Sequence, residues 1–246
     1  MSAAENNPVN SRAQWFRTTR WSVVQAVGGD SSSARVALEQ LCRVYWYPLY
    51  AFARRSGWSA HDAEDAVQSF FLNCLEKDWL AAADRAKGRF RSFLLVAFKR
   101  FVAKEMAKDR AQKRGGGRTF IELDALAAEK RYACEPTGLE SADRLYERRW
   151  ALTLLEQVLE SLEQEQIKAG NERTFAALKE FLSGNGRGTA YAELAGPLGL
   201  SEGAVKVAVH RLRRRYRKML EAEIANTVSS PDEIEEERRF LLNALS

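Results

Sequence analysis

Seven cationic side chains, Lys206, Arg211, Arg213, Arg214, Arg215, Arg217 and Lys218, follow Ser201 against one acid, Glu202. Ammonium and guanidinium groups at that density neutralise phosphates. The residues ahead of them say how they are held. In YAELAGPLGLSEGAVKVAVHRLRRRYRKML, Tyr191–Leu220, the steric positions of a helix-turn-helix are filled. Counting from Tyr191, the fifth position is Ala195, small enough to face a second helix. The ninth is Gly199, which takes a positive φ in a tight turn without a Cβ penalty. The fifteenth is Val205, an apolar plug between the helices. Leu194, Leu198 and Leu200 are expected to complete this small core, and Ser201 to cap the second helix. Pro197 removes a backbone donor late in the first helix and predicts an end or kink near Gly196. A basic second helix held this way suits a major groove.

Bulk properties agree with an anionic partner. The 246 residues, enough for two small domains, are 29% charged with a net charge of +5. Cys42, Cys74 and Cys134 show no pairing or ligand spacing; Cys42 and Cys74 read as core residues in a reducing cytoplasm. Only two histidines, His61 and His210, are present, which argues against a His-based metal site. No cofactor motif is found. The polar start, MSAAENNPVNSRAQW, is unlike a signal peptide, and no apolar run approaches a membrane span.

The elements that must position these residues are helical throughout. Residues 1–14 read as a disordered tail. A helical domain follows over 15–114. Within it, Arg35–Arg55 carries Leu38, Leu41, Cys42, Tyr45, Leu49 and Phe52 at the spacing of one helix face. Gly57 ends that helix. Ser59 caps the next, with Asp62 as the capping-box acid and Ala63, Ala66, Val67, Phe70, Cys74 and Leu75 inward. A third helix, about Phe90–Arg110, turns Leu94, Ala97, Phe98 and Phe101 inward. Gly115, Gly116 and Gly117 open a linker over 115–140. A second helical domain spans 141–224 and contains the helix-turn-helix. The expected fold is therefore all-α, with two helical domains joined by a flexible linker and a C-terminal helix over 225–246.

Two surfaces of the first domain carry opposite charge. Asp62, Glu64, Asp65 and Gln68 lie in the first turns of their helix, where acids also favour the helix dipole without any partner. Arg85, Lys87, Arg89, Arg91, Lys99, Arg100, Lys104, Lys108, Arg110, Lys113, Arg114 and Arg118 oppose only Glu105 and Asp109, with Phe90, Phe93, Phe98 and Phe101 interleaved. Cations for the backbone and aromatics for unstacked bases make up a single-strand binder. Phe98 and Phe101 read as core; Phe90 and Phe93 fit either role.

In these segments the chain resembles bacterial RNA polymerase sigma factors of the sigma-70 superfamily, in the extracytoplasmic-function group. The resemblance rests on DAEDAVQSFF at 62–71, GRFRSFLLVAFKRF at 88–101 and the helix-turn-helix at 191–215, in the family's order. It covers about Trp15–Glu221. LEKDWLA at 75–81 and QKRGGGRT at 112–119 are similar to a long subgroup of the family. The resemblance implies that Asp62, Glu64, Asp65 and Gln68 dock on the clamp helices of core RNA polymerase. It implies that Arg89–Lys104, with Arg89, Arg91, Phe93, Lys99, Arg100 and Lys104, captures and opens the −10 element of promoter DNA. Lys206, Val207, His210, Arg211 and Arg214 would face the −35 element, with His210 either a base contact or a neighbour of the helix core. The linker would thread the polymerase cleft. Such a factor has no catalytic residues of its own, works in the cytoplasm, and leaves room for an anti-sigma factor or kinase as a further partner. The chain departs from the family in carrying Phe93 for a frequent Trp and Lys99 or Arg100 for a frequent Asn. A regulator that binds duplex DNA without polymerase would explain Tyr191–Leu220 but not the other two segments. An enzyme acting on nucleic acid would need a metal-spaced carboxylate cluster or a Walker loop, and the sequence has neither.

Beyond these lies one more helix signal. Ser230, Pro231 and Glu233 supply an N-cap, a first-turn proline and a capping-box acid. Ile234, Leu241 and Leu245 form an apolar stripe, and Asp232, Glu233, Glu235, Glu236 and Glu237 an acidic side. The helix is expected to pack on the helix-turn-helix domain, either screening Lys206–Lys218 or completing the core there with its acids in water.

Overall fold

The structure, a computed structural model, describes residues 31–76, 89–109, 125–136, 140–182, 191–228 and 230–245. Among these residues there are helices and no strand, in keeping with the all-α expectation. The helices are α1 Ser31–Arg55, α2 Ala60–Glu76, α3 Phe90–Asp109, α4 Ala125–Ala133, α5 Ala142–Lys168, α6 Glu172–Leu178, α7 Tyr191–Leu198, α8 Glu202–Ala225 and α9 Ile234–Ala244. Two short 3-10 turns accompany them: Lys179–Phe181 extends α6, and Pro231–Glu233 leads into α9. The tail 1–14, the triglycine, QKRGGGRT, most of LEKDWLA, and the cations Arg85, Lys87, Arg110, Lys113, Arg114 and Arg118 lie outside the described residues.

Two compact units divide the chain. The first takes the described residues up to Leu152 together with those from Ala225 onward; the second is Thr153–Ile224. This division differs from the expected one: residues 141–152 and the C-terminal segment go with the first unit.

In the first unit, α1 is buried on nearly every side between Leu41 and Ala53. Leu41, Cys42, Tyr45 and Leu49 are inward as their spacing predicts, but Val44, Trp46, Tyr47, Tyr50, Ala51 and Ala53 are buried too. A helix apolar all round needs cover on more than one face. One cover is α2, which contributes Ala63, Val67, Phe70, Phe71 and Cys74, and another is α3, with Phe90, Leu94, Ala97 and Phe98. Aromatic rings lock these helices edge to face: Phe70 and Phe98 have centroids 5.2 Å apart, and Tyr45 and Phe90 5.4 Å.

The other cover corrects the linker expectation. Residues 125–136 form α4 and the turn after it, and they are tied to α1. Arg54 donates from Nη2 to Glu129 at 2.7 Å, and the Tyr47 hydroxyl donates to Glu135 at 2.6 Å. Arg55 donates to the Pro136 carbonyl at 2.7 Å. Arg149, from the start of α5, pairs with Glu135 as well. Glu135 is buried, and its two partners satisfy the charge that burial would otherwise penalise.

The second unit has one apolar core. Leu162 of α5, Phe175 and Leu178 of α6, Phe181, and Val205, Val209 and Leu212 of α8 meet there. Leu194, Ala195 and Leu198 of α7 pack against this cluster. Each large side chain so covered contributes about 1.5–3 kcal/mol.

Candidate nucleic-acid interface

The helix-turn-helix forms as its steric positions require. Gly199 sits at φ +64°, and its N–H bonds the Gly196 carbonyl at 3.0 Å. Leu200 N–H reaches Ala195 O at 2.9 Å, closing the turn. The Ser201 hydroxyl accepts from Ala204 N–H at 3.2 Å, the N-cap bond. Val205 is fully buried between the helices. One expectation needs correction and another is refined. Leu200 is 38% exposed and stands outside the core, because the turn carries it past the last covered residue, Leu198. The end expected near Gly196 comes two residues later: α7 continues through Pro197 and stops at Leu198. Proline falls in the last turn of α7, close to where helical bonding stops, and Arg173 donates to the Pro197 carbonyl at 2.7 Å.

Along α8, charge and burial sort by helix face. Val205, Val209 and Leu212 point inward, with Tyr216 and Met219 partly covered behind them. Arg213 and Arg215 flank that stripe, and both are used for packing. Arg213 donates twice to the Phe181 carbonyl, at 3.1 and 2.9 Å. Arg215 forks onto Glu165 of α5, with Nε at 2.9 Å from Oε1. On the opposite face, Lys206, Val207, His210, Arg211 and Arg214 are all exposed, followed by Arg217 and Lys218. Lys206 is bonded to Glu202 at 2.6 Å, a neighbour that raises its pKa. His210, Arg211 and Arg214 form no ion pair with another described residue. Val207, 49% exposed, puts an apolar patch among them. His210 thus lies on the outward face, away from the helix core.

The first unit presents two further charged surfaces. On α2, Asp62 and Asp65 are exposed and Glu64 and Gln68 half-buried. Ser59 Oγ accepts from Asp62 N–H at 3.1 Å, the expected N-cap bond, while the Asp62 carboxylate, expected to bond the Ser59 backbone, accepts from the Ser59 hydroxyl at 2.6 Å. Gln68 donates to Glu64 at 3.0 Å, and Asp65 lies 3.5 Å from His61. The acids therefore share one solvent-facing stretch. On α3, Lys99, Arg100 and Lys104 are exposed and Phe93 half-buried, while Phe90 is core. Lys99 pairs with Asp143 of α5.

Arg89 and Arg91 do not join that exposed surface. Arg91 is 3% exposed and Glu237 of α9 is fully buried against it. Arg91 Nε donates to Glu237 Oε1 at 2.8 Å and Arg89 Nε to Oε2 at 2.7 Å. Arg89 also holds Glu236 at 2.9 Å. The Phe240 ring lies 3.5 Å from the Arg91 guanidinium, and Trp150 stands 5.1 Å away. Tyr146 donates its hydroxyl to the Arg91 carbonyl at 2.9 Å. Glu147, 3.9 Å off, is a weaker counter-charge, since burial raises its pKa.

This placement overturns the expectation for the C-terminal helix. Ser230 and Glu233 do form the capping box. The helix belongs, however, to the first unit rather than to the helix-turn-helix unit, and Glu237 is buried rather than part of a wet acidic side. Glu237 finds two arginines at the N-terminal end of α3, where the helix dipole also favours an anion. The roles of Arg213, Arg215 and Glu237 were missed in the sequence. The first two could be found by their place beside the apolar stripe of α8; Glu237 carries no such local signal. Among the described residues, no group of three His, Cys, Asp or Glu side chains is placed to hold a metal ion, and no helix is long and apolar enough to cross a membrane. Compared with protein-family models, curated proteins and solved structures, the chain matches none.

Proposed function

We propose that this chain is a sigma-type initiation factor, which binds core RNA polymerase and directs it to promoters. The observation that carries the reading is the division of labour on α8. The flanking arginines, Arg213 and Arg215, are spent on packing, while Lys206, Val207, His210, Arg211 and Arg214 stand outward on a rigid helix. That face enters a major groove at the −35 element, where an arginine fork reads guanine and cations hold phosphates. Lys99, Arg100 and Lys104, with Phe93 beside them, take the −10 strand, cations on its backbone and the ring against a base. The acidic stretch Asp62, Glu64, Asp65 and Gln68 docks on polymerase. The factor supplies positioning and no active site; the chemistry is the polymerase's, and no cofactor is required.

Pull-down of core polymerase tests this. The wild-type chain retains polymerase, and Asp62→Lys/Asp65→Lys loses it while keeping its helical content and melting profile. Both side chains are exposed, so the reversal acts on the partner and not on the core. Duplex binding without polymerase retention by the wild-type chain would instead favour a helix-turn-helix regulator. Normal retention by the folded double variant would refute the docking assignment.

A further inference from the structure

We infer that α9 is a latch over the first unit's strand-binding surface, with Glu237 holding the Arg89–Arg91 pair in place of a phosphate. The inference rests on the proposed reading of α3 as a strand-binding element. Its own observations are the buried carboxylate and the construction around it. Two guanidiniums from consecutive odd positions converge on one carboxylate, at 2.7 and 2.8 Å, where α3 begins. Phe240 covers the Arg91 guanidinium at 3.5 Å, and Trp150 backs it. Guanidinium forks bind carboxylate and phosphate by the same two-point geometry. A phosphodiester can therefore replace Glu237 without leaving either arginine uncompensated. Simple removal of Glu237, by contrast, strands two cations in a covered site.

The latch is also built to leave. α9 has 11 residues, too short to persist as an isolated helix, so its order depends on docking. Its hold is concentrated in Glu237, Phe240 and Leu241, with an exposed ion pair from Glu236 to Arg89; Leu242 is 57% exposed, and Glu235 and Arg239 face solvent. The exposed cations Lys99, Arg100 and Lys104 lie further along the helix at whose start the latched pair stands. A strand that engages them first is already beside Arg89 and Arg91, and release of α9 adds these two as phosphate partners. A ligand shifts such an equilibrium only by binding the open form better, which the freed arginines ensure.

The test uses the full chain and a fluorescein-labelled single-stranded DNA oligonucleotide of about a dozen nucleotides, within the usual site size of such surfaces. Glu237→Gln keeps the shape of the side chain and removes its charge. It should bind the strand about tenfold more tightly, the gain expected when a form open about one-tenth of the time becomes dominant. Asp232→Asn makes the same change of net charge at an exposed position away from the arginines and should change affinity by less than about twofold. Equal effects of the two substitutions overturn the latch. Where Glu237→Gln fails to fold, hydrogen exchange on the wild-type chain decides. Amides of residues 234–244 should exchange faster with the strand bound; unchanged or slower exchange overturns the proposal. Lys99→Ala/Arg100→Ala/Lys104→Ala separates the two layers. If that variant binds the strand as well as wild type, the strand-binding reading fails and the latch with it. If it binds more weakly while Glu237→Gln gains nothing, the latch alone fails.

Discussion

Arg211 and Arg215 lie one turn apart on α8, carry the same charge and are both exposed, yet they should answer differently to alanine. Arg215 is engaged with Glu165, with Nε at 2.9 Å from Oε1, whereas Arg211 has no such partner among the described residues. An arginine that neutralises one duplex phosphate contributes about 0.9 to the slope of log affinity against log salt. Arg211→Ala should lower the magnitude of that slope by about 0.9. Between 50 and 200 mM salt its affinity should then fall by a factor roughly 3.5 smaller than wild type's. Arg215→Ala should change the slope by less than about half as much, because its charge is already offset by Glu165. Its cost appears in stability instead. With side chains 43% and 39% exposed, the Arg215–Glu165 pair sits in the range of exposed ion pairs, no more than about 1 kcal/mol. For a unit this small that is a fall in Tm of at most roughly 4–8 °C. Fluorescence-anisotropy titrations of a labelled duplex over a salt series, with thermal melts of the same samples, give both quantities. An Arg215→Ala slope as shallow as that of Arg211→Ala would refute the division of α8 into packing and contact arginines.

Three further outcomes are expected. Gly199→Ala should cost the second unit about 1–2 kcal/mol in chemical denaturation, since φ is +64° and a Cβ there meets no atom within 4 Å; the cost is backbone conformation alone, and Gly199→Asn should recover part of it. Cys134 is exposed while Cys42 and Cys74 are buried, with burial pushing the Cys42 thiol up to about 12, so a thiol reagent at neutral pH should label Cys134 rapidly and the other two only at the rate of unfolding. Arg54, by its hydrogen bonds, holds the Glu129 carboxyl below its usual range. A depressed carboxylate stabilises the fold above the unfolded value, near 4.3, and loses that contribution as the pH falls through the folded value. Glu129→Gln should therefore lower the melting temperature of the first unit at pH 7, by the equivalent of less than about 1 kcal/mol for so exposed a pair, and the deficit should shrink in melts below about pH 4.

Local stereochemistry made the helix-turn-helix legible. Ala195, Gly199, Ser201 and Val205 each answer to a constraint set within a few residues, and all four sit as their types demand. The inward faces of α2 and α3 were readable for the same reason, as a periodicity of a few turns. What escaped was pairing across long stretches of chain. Leu38–Phe52 was read as one apolar face, although Trp46, Tyr47 and Tyr50 on the other sides already implied a second cover. That cover, α4, lay in a segment whose glycines and mixed composition resemble a tether. Arg91 read as a surface cation because nothing near it in sequence is acidic; its partner, Glu237, is 146 residues away. The apolar stripe of α9 announced that some surface must receive it, but a stripe carries no address. Charge complementarity pointed to the most basic helix, and the structure chose instead a pair of arginines beside which Phe240 also finds Trp150.

The first unit draws its members from both sides of Thr153–Ile224, and this orders events during synthesis. Arg91, with Arg89 ahead of it, leaves the ribosome 146 residues before Glu237 does, with the whole second unit made in between. At roughly 5–20 residues per second that interval lasts on the order of ten seconds. A nascent chain therefore spends that time with both arginines uncovered and with Trp150, once made, lacking its neighbour Phe240. A helix made after the second unit is complete is the one that finishes the first, so a chain broken just after Ala225 has its second unit whole and its first without α9.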